Sequence, residues 1–200
     1  MKSLSLLTLL AVILLCTGCA QNIPMKTSIN EYVLMNIKTS SQKGINYTFS
    51  TDLTGTKLPL YGKNKSGKKS ESYICDENAT LSTMLKEYIE NKFLEISETS
   101  PISLEIKLVD FYVEYYPTDT AGMQALNILA DVESNHLSSA KLSLVLTLTK
   151  DGQETHKRIS TSADVTSSGE QDEIVIGDSI NQANNKALML INAFLAENEL

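Results

Sequence analysis

The sequence predicts an α+β fold: one compact domain, a mostly antiparallel sheet with two amphipathic helices packed on one face. Three observations carry this expectation. Residues 102–116, 142–149 and 153–166 alternate apolar and polar side chains with the period of two that marks half-buried strands. Asp151-Gly152, the strongest hairpin signal in the chain, joins the last two of them. Two further segments, near residues 81–96 and 180–195, repeat apolar residues every three or four positions, which is one stripe along a helix.

Taken in order, residues 1–18 read as an export signal. Lys2 is the positive end, and Leu4 to Leu15 is an apolar run of 12 residues. A stable transmembrane helix needs roughly 20 apolar residues, so this run fits the core of a signal peptide instead. Leu15-Cys16-Thr17-Gly18-Cys19 follows. It resembles the lipobox of bacterial lipoproteins, where small residues precede a cysteine that is acylated and becomes the mature N-terminus. The resemblance implies cleavage between Gly18 and Cys19, with lipid attached to Cys19. Cys16 stands where the family usually has Leu, and bulky Leu14 and Leu15 before it exclude Cys16 as the acceptor. Several acyl chains anchor durably because each buried methylene contributes about 0.8 kcal/mol. No Asp follows Cys19; Ala20 and Gln21 do, which by the same resemblance implies the outer membrane, on its periplasmic side.

Cleavage leaves 182 residues, enough for one sizeable core. Loss of Lys2 takes the formal charge from −7 to −8. An acidic surface argues against nucleic acid, which is bound through clustered Lys and Arg. Cys75 is then the one thiol not consumed by the signal or the lipid, and it reads as a small buried hydrophobe.

Residues 19–30 carry Pro24, few large apolar groups and no periodicity, and read as the lipidated Cys and a tether ahead of a domain at 31–200. Tyr32-Val-Leu-Met-Asn-Ile37 is rich enough in β-formers for a first strand, and Tyr47–Ser50 for a second. Residues 54–72 hold three Gly, Pro59 and five Lys, and read as an exposed loop. Lys57, Lys63, Lys65, Lys68 and Lys69 are either solvated or a contact for phosphate headgroups or an acidic partner. Asn78 or Thr80 can cap a helix whose stripe is Leu81, Met84, Leu85, Tyr88, Ile89, Phe93 and Ile96. It should end near Ser97, ahead of Pro101.

In residues 102–116 the apolar phase slips by one after Leu108, from Ile102, Leu104, Ile106, Leu108 to Val109, Phe111, Val113, Tyr115. A strand cannot do this without turning its faces over. A β-bulge near Leu108–Asp110 would absorb the slip, leaving Ile106, Val109 and Phe111 on the core side and Asp110 in solvent. Otherwise Phe111, Val113 and Tyr115 form an exposed apolar edge. Residues 117–137 open on a turn and then fit either a helix or a strand. Residues 167–177 read as loop. Ser179 and Gln182 have capping-box spacing for a last helix with the stripe Ile180, Ala183, Ala187, Leu190, Ile191, Phe194 and Leu195. Its acidic end, Glu197 to Leu200, opposes the helix dipole and should fray. Leu85, Ile89, Leu144, Leu146, Leu190 and Phe194 should be buried together.

Chemistry is sparse. His136 and His156 are the two histidines, and no metal spacing, nucleophile elbow or glycine-rich phosphate loop appears. Asp110 is the one carboxylate in a strongly apolar context. An enzyme would require Asp110, His136 or His156 to gather in one pocket. The sequence therefore predicts a non-enzyme with no cofactor and no metal, partnered by the membrane through its lipid and by an envelope protein.

Leu104-Glu-Ile-Lys-Leu-Val-Asp-Phe-Tyr-Val, the hairpin Lys150-Asp-Gly-Gln and Ile180-Asn-Gln-Ala-Asn-Asn-Lys-Ala-Leu, in this order of elements, resemble the YajG-like lipoproteins of Gram-negative bacteria. The resemblance spans roughly residues 75–195 and departs in the lysine-rich stretch and at 117–137. It implies a compact α+β domain in the envelope and transfers no catalytic residue. A second resemblance, by size and anchor, is to auxiliary lipoproteins of envelope lipid or lipopolysaccharide transport complexes.

Overall fold

The computed structural model describes residues 21–37, 41–53, 58–63, 69–117, 135–168 and 171–200. The signal residues, Gly18 and Cys19, and most of residues 117–137 lie outside them.

The molecule is organised around one long strand, β6 (Ser103–Pro117). Its partner β7 (Asn135–Lys150) runs antiparallel along its whole length, and β8 (Gln153–Ser168) returns antiparallel along β7. The opposite edge of β6 is shared. Residues 103–108 pair in parallel with β2 (Ser41–Thr51), and Glu114 and Tyr115 pair in parallel with β3 (Leu58–Lys63). β4 (Lys69–Cys75) lies antiparallel on β3, β1 (Gln21–Asn22) lies parallel on β4, and β5 (Phe93–Ile96) lies parallel on β2. The expected α+β class holds, and its long ladders are antiparallel. The parallel pairs join the strands at either side.

The slip in the long strand is a bulge. Leu108 pairs with Leu144 and Asp110 with Ser143, so Val109 is the extra residue. Leu104, Ile106 and Leu108 before it and Phe111 and Val113 after it all face the core, and Asp110 is exposed. Leu108, not Val109, takes the core position at the slip; Val109 is half-buried. At the β7–β8 turn Asp151 and Gly152 have φ of 53° and 75°, the left-handed pair of a type I′ hairpin. Nothing lies near the space a Gly152 side chain would enter, so the requirement there is conformational. Gly152→Ala should cost about 1 kcal/mol, read as a lower midpoint in urea with an unchanged slope.

Leu142, Leu144, Leu146 and Leu148 of β7 and Ile159, Thr161 and Ala163 of β8 are buried on the face covered by α3 (Asp172–Glu197). α2 (Glu77–Lys92) packs by β2 and β5. A third helix, α1 (Glu31–Ile37), replaces the strand expected at 32–37. The Asn30 side chain accepts from the Tyr32 backbone N–H at 2.8 Å as an N-cap, and Val33 and Ile37, four apart, turn into the core. Docking of that face outweighs the β preference of Tyr and Val.

Other boundaries move for similar reasons. The stretch 54–72 is not one loop, since β3 and β4 lie within or across it. The cap of α2 is Asp76, which accepts from Ala79 N–H at 3.1 Å, in place of Asn78 or Thr80. This helix stops at Lys92, where Phe93 adopts extended backbone and starts β5, so Ile96 leaves the stripe for an exposed position. The last helix starts at Asp172, not Ser179, and Ser179 is a buried interior residue. Its hydroxyl donates to Ile176 O and meets Ser138 Oγ, each at 2.8 Å. Gly177 inside that helix admits a close neighbour: a Cβ there would stand 3.1 Å from Pro24 O. Leu190 is 40% exposed and leaves the predicted core set, whose other members are buried; Leu188 takes the inward position.

The C-terminus does not fray. Leu200 N–H donates to Leu195 O and Glu199 N–H to Ala196 O, with Glu199 at φ 60°, which together form a Schellman motif. Leu200 is buried, and Lys150 Nζ donates to Asn198 O at 2.9 Å, so a cation meets the negative end of the helix.

Candidate functional site

Five groups of residues bear on function, and they occupy different parts of the fold. The first is the N-terminal segment. Residues 21–30, expected as a tether, are fixed along the domain. Ile23 N–H donates to Ile74 O at 2.8 Å, and Ile23 and Ile29 are buried. Lys26 pairs with Asp178. Asn185 of α3 clamps the segment twice: its carbonyl accepts from Asn30 N–H at 2.6 Å, and its amide donates to Ser28 O at 3.2 Å. The sequence looked like a spacer because two buried isoleucines in ten residues make no period. The partners of Lys26, Ser28 and Asn30 lie about 150 positions away, in α3.

The second group is the lysines. Lys57, Lys65 and Lys68 lie outside the described residues. Lys63 and Lys69 are register partners at the end of the β3–β4 pair where residues 64–68 join the two strands, which the flat composition of the stretch concealed.

The third group holds the titratable residues picked from sequence. Asp110 sits opposite Ser143, His156 opposite Thr147 and His136 opposite Pro117, so they are spread along the sheet and do not converge. His156 is exposed, with Thr147 Oγ1 at 3.1 Å and Glu154 Oε2 at 3.5 Å. His136 meets Tyr115 of β6 and Asp172 of α3. The Tyr115 hydroxyl donates to Asp172 and contacts His136 Nδ1, which lies 3.2 Å from Asp172 Oδ1. The cluster is half-buried and ties the start of α3 to the end of the sheet. Sequence reasoning missed it because its members come from three elements.

The fourth group is interior. Glu77, the first residue of α2, is fully buried, and among the described residues neither carboxylate oxygen makes a hydrogen bond of good geometry. Asn184 of α3 lies beside it, equally buried, close enough for its amide to favour the carboxylate but without a well-formed hydrogen bond among the described residues. Burial pushes the Glu77 carboxyl up to about 8, Asn184 acts against the rise, and Asp76 adds to it. The adjacent Cys75 thiol is pushed up to about 12 by burial first and by the Glu77 and Asp76 charges next. A thiol so poised is not a nucleophile at neutral pH. Asp76 stays half-buried, while Glu77 is fully buried beside Asn184 of α3.

The fifth is an open cleft of about 490 Å³ between the Lys43–Gly44 backbone, the turn at 97–102 and the β7–β8 hairpin. Lys43, Glu95, Lys150 and Asp151 line it, without either histidine or Cys75. Among the described residues no three His, Cys, Asp or Glu side chains are grouped to hold a metal ion. No described helix is long and apolar enough to cross a membrane.

No family model matches the sequence. No curated protein matches it either. Solved structures do. A Xanthomonas campestris protein of the DUF330 family is similar with a TM-score of 0.51 at 11% identity, over 88% of this chain and 93% of that one. Rare lipoprotein B of Shewanella oneidensis is similar with a TM-score of 0.41 at 10% identity, over 70% of this chain and 95% of that one. At 11% identity the first likeness is one of fold.

Proposed function

We propose that the chain is a lipid-anchored lipoprotein of the outer membrane, held through an acylated Cys19 once residues 1–18 are removed. Its domain serves, without catalysis, as a binding or scaffold component of the cell envelope. One observation carries this reading: the Leu15-Cys16-Thr17-Gly18-Cys19 stretch closes an apolar run too short to span a bilayer. The YajG-like resemblance of the sequence supports the same class. The separation of Asp110, His136 and His156 supports a non-catalytic role, since general acid–base or nucleophilic chemistry needs such groups within hydrogen-bond reach. Partners are then the membrane and an envelope protein.

Cys19→Ser should abolish lipidation and leave an uncleaved or unanchored form. Mass spectrometry of the mature N-terminus decides it: an unmodified Cys19, or a chain starting elsewhere, overturns the anchor. Mild crosslinking and co-purification then identify the partner. Recovery of a lipid or lipopolysaccharide transport complex would make the chain an auxiliary subunit of it; any other envelope protein would leave the scaffold reading in place.

A further inference from the structure

Among the described residues β8 pairs with β7 and with no other strand, in an unbroken register from Lys150 opposite Gln153 to Asn135 opposite Ser168. The residues flanking a two-residue type I′ turn form a hydrogen-bonded pair, and such pairs alternate along an antiparallel ladder. Odd-numbered residues of β8 therefore direct their backbone groups to β7, while the N–H and C=O of even-numbered residues point outward from the sheet. Lys186 Nζ donates to Ser162 O at 2.7 Å, which agrees with that phase and leaves the carbonyl a second lone pair. Strand edges are usually kept short, bulged or interrupted by Pro. Gln153–Ser168 is 16 residues long, without Pro, Gly or a bulge.

Such an edge accepts another strand, and its side chains match a copy of itself. Antiparallel pairing joins outward-facing residues to outward-facing ones, so even positions must meet even positions and a twofold axis passes through a residue, not between two. An axis at Thr161, near the middle of β8, sets Arg158 opposite Asp164 twice and opposes no like charges. Moving the axis by one residue in either direction separates the two. Both side chains are exposed. Arg158 makes no ion pair among the described residues, and Asp164 acts on Lys141 only through its longer-range field. α3 adds an apolar match. It meets β8 through Ala183 O at Thr161, Lys186 at Ser162 and Glu197 at Lys157, so it runs antiparallel along this strand. Leu190 follows Lys186 by four and precedes Glu197 by seven, which places it on the helix face that carries these two ties. It is 40% exposed.

We propose that the chain forms a twofold dimer in which β8 pairs antiparallel with β8 of a second copy about Thr161, joining the two sheets and covering Leu190. The pairing does not depend on lipid at Cys19. The full chain, purified in mild detergent, should sediment as a dimer. Arg158→Asp or Asp164→Arg alone opposes two pairs of like charges and should weaken the dimer at least about tenfold, while the two together should restore it to within about threefold. Far-UV circular dichroism should be the same for all four chains, since both positions are exposed. Ser160→Cys and Ser162→Cys chains, mixed and oxidised, should crosslink to each other at least about threefold more than either does to itself, because only directly opposed positions lie within disulfide reach. A single-chain mass at every concentration up to about 100 μM overturns self-pairing. Crosslinking of the cysteine chains in membranes to a different envelope protein also overturns it and gives the edge to that protein. A dimer that ignores the single reversals, or that the double exchange fails to restore, overturns the Thr161 register.

Discussion

Glu77→Gln should stabilise the protein at and above neutral pH and leave it nearly unchanged at pH 4.5. The carboxyl is fully buried beside Asn184 with no well-formed hydrogen bond among the described residues, and burial raises it from the ordinary 4.5 to about 8. Across that interval the folded state keeps a proton that the unfolded state has released. Stability from this group is therefore complete below about pH 4.5, falls as pH rises, and levels off above about pH 8. Each unit corresponds to about 1.4 kcal/mol, so the loss at pH 8 has an upper bound of about 4–5 kcal/mol; relaxation around the charge leaves about 2–4. Glutamine has nearly the same shape, does not ionise, and can exchange a hydrogen bond with the Asn184 amide. Thermal unfolding between pH 4.5 and 9 checks it. The midpoint of the wild type should fall across the range while that of the variant stays nearly level. Parallel curves would mean that Glu77 reaches solvent.

What could be read in the sequence was what neighbours in the chain decide. The β6–β7–β8 meander follows from local alternation and from a turn that only residues tolerant of positive φ accept. The bulge was legible as well, because a one-residue slip in a half-buried strand has few other solutions. Where partners are remote, the reading failed. Tyr32–Ile37 carries β-prone residues, yet Val33 and Ile37 dock as one helical face under α2 and α3. Ile174-Val-Ile-Gly177 is a poor helix former, and it is helical because Val175 and Ile176 enter the core and Gly177 lets the Pro24 carbonyl approach. The same holds for the candidate sites. The Cys19 motif is contiguous and was visible. The Lys63–Lys69 pairing, the Tyr115–His136–Asp172 cluster and the burial of Glu77 depend on contacts between elements that no local period encodes.

Phe111→Ser should lower stability by about 3–5 kcal/mol, since truncating a buried aromatic removes its transfer free energy and leaves a cavity. Phe111 is 9% exposed and opposes Leu142 in the ladder, three positions past Leu108 on the same face only because Val109 is skipped. At about 2–4 °C per kcal/mol for a domain of this size, the melting temperature should drop by roughly 10 °C. Val109→Ser, at the half-buried unpaired position, should cost less than about 1 kcal/mol, as changes outside the packed core usually do. The contrast between the two is the measurement. A regular strand would abolish it, because Val109 and Phe111 would then share a face and respond alike. Were Phe111→Ser to leave the melting temperature unchanged and abolish self-association or a partner, the far half of β6 would be an exposed apolar edge, with Phe111 at an interface.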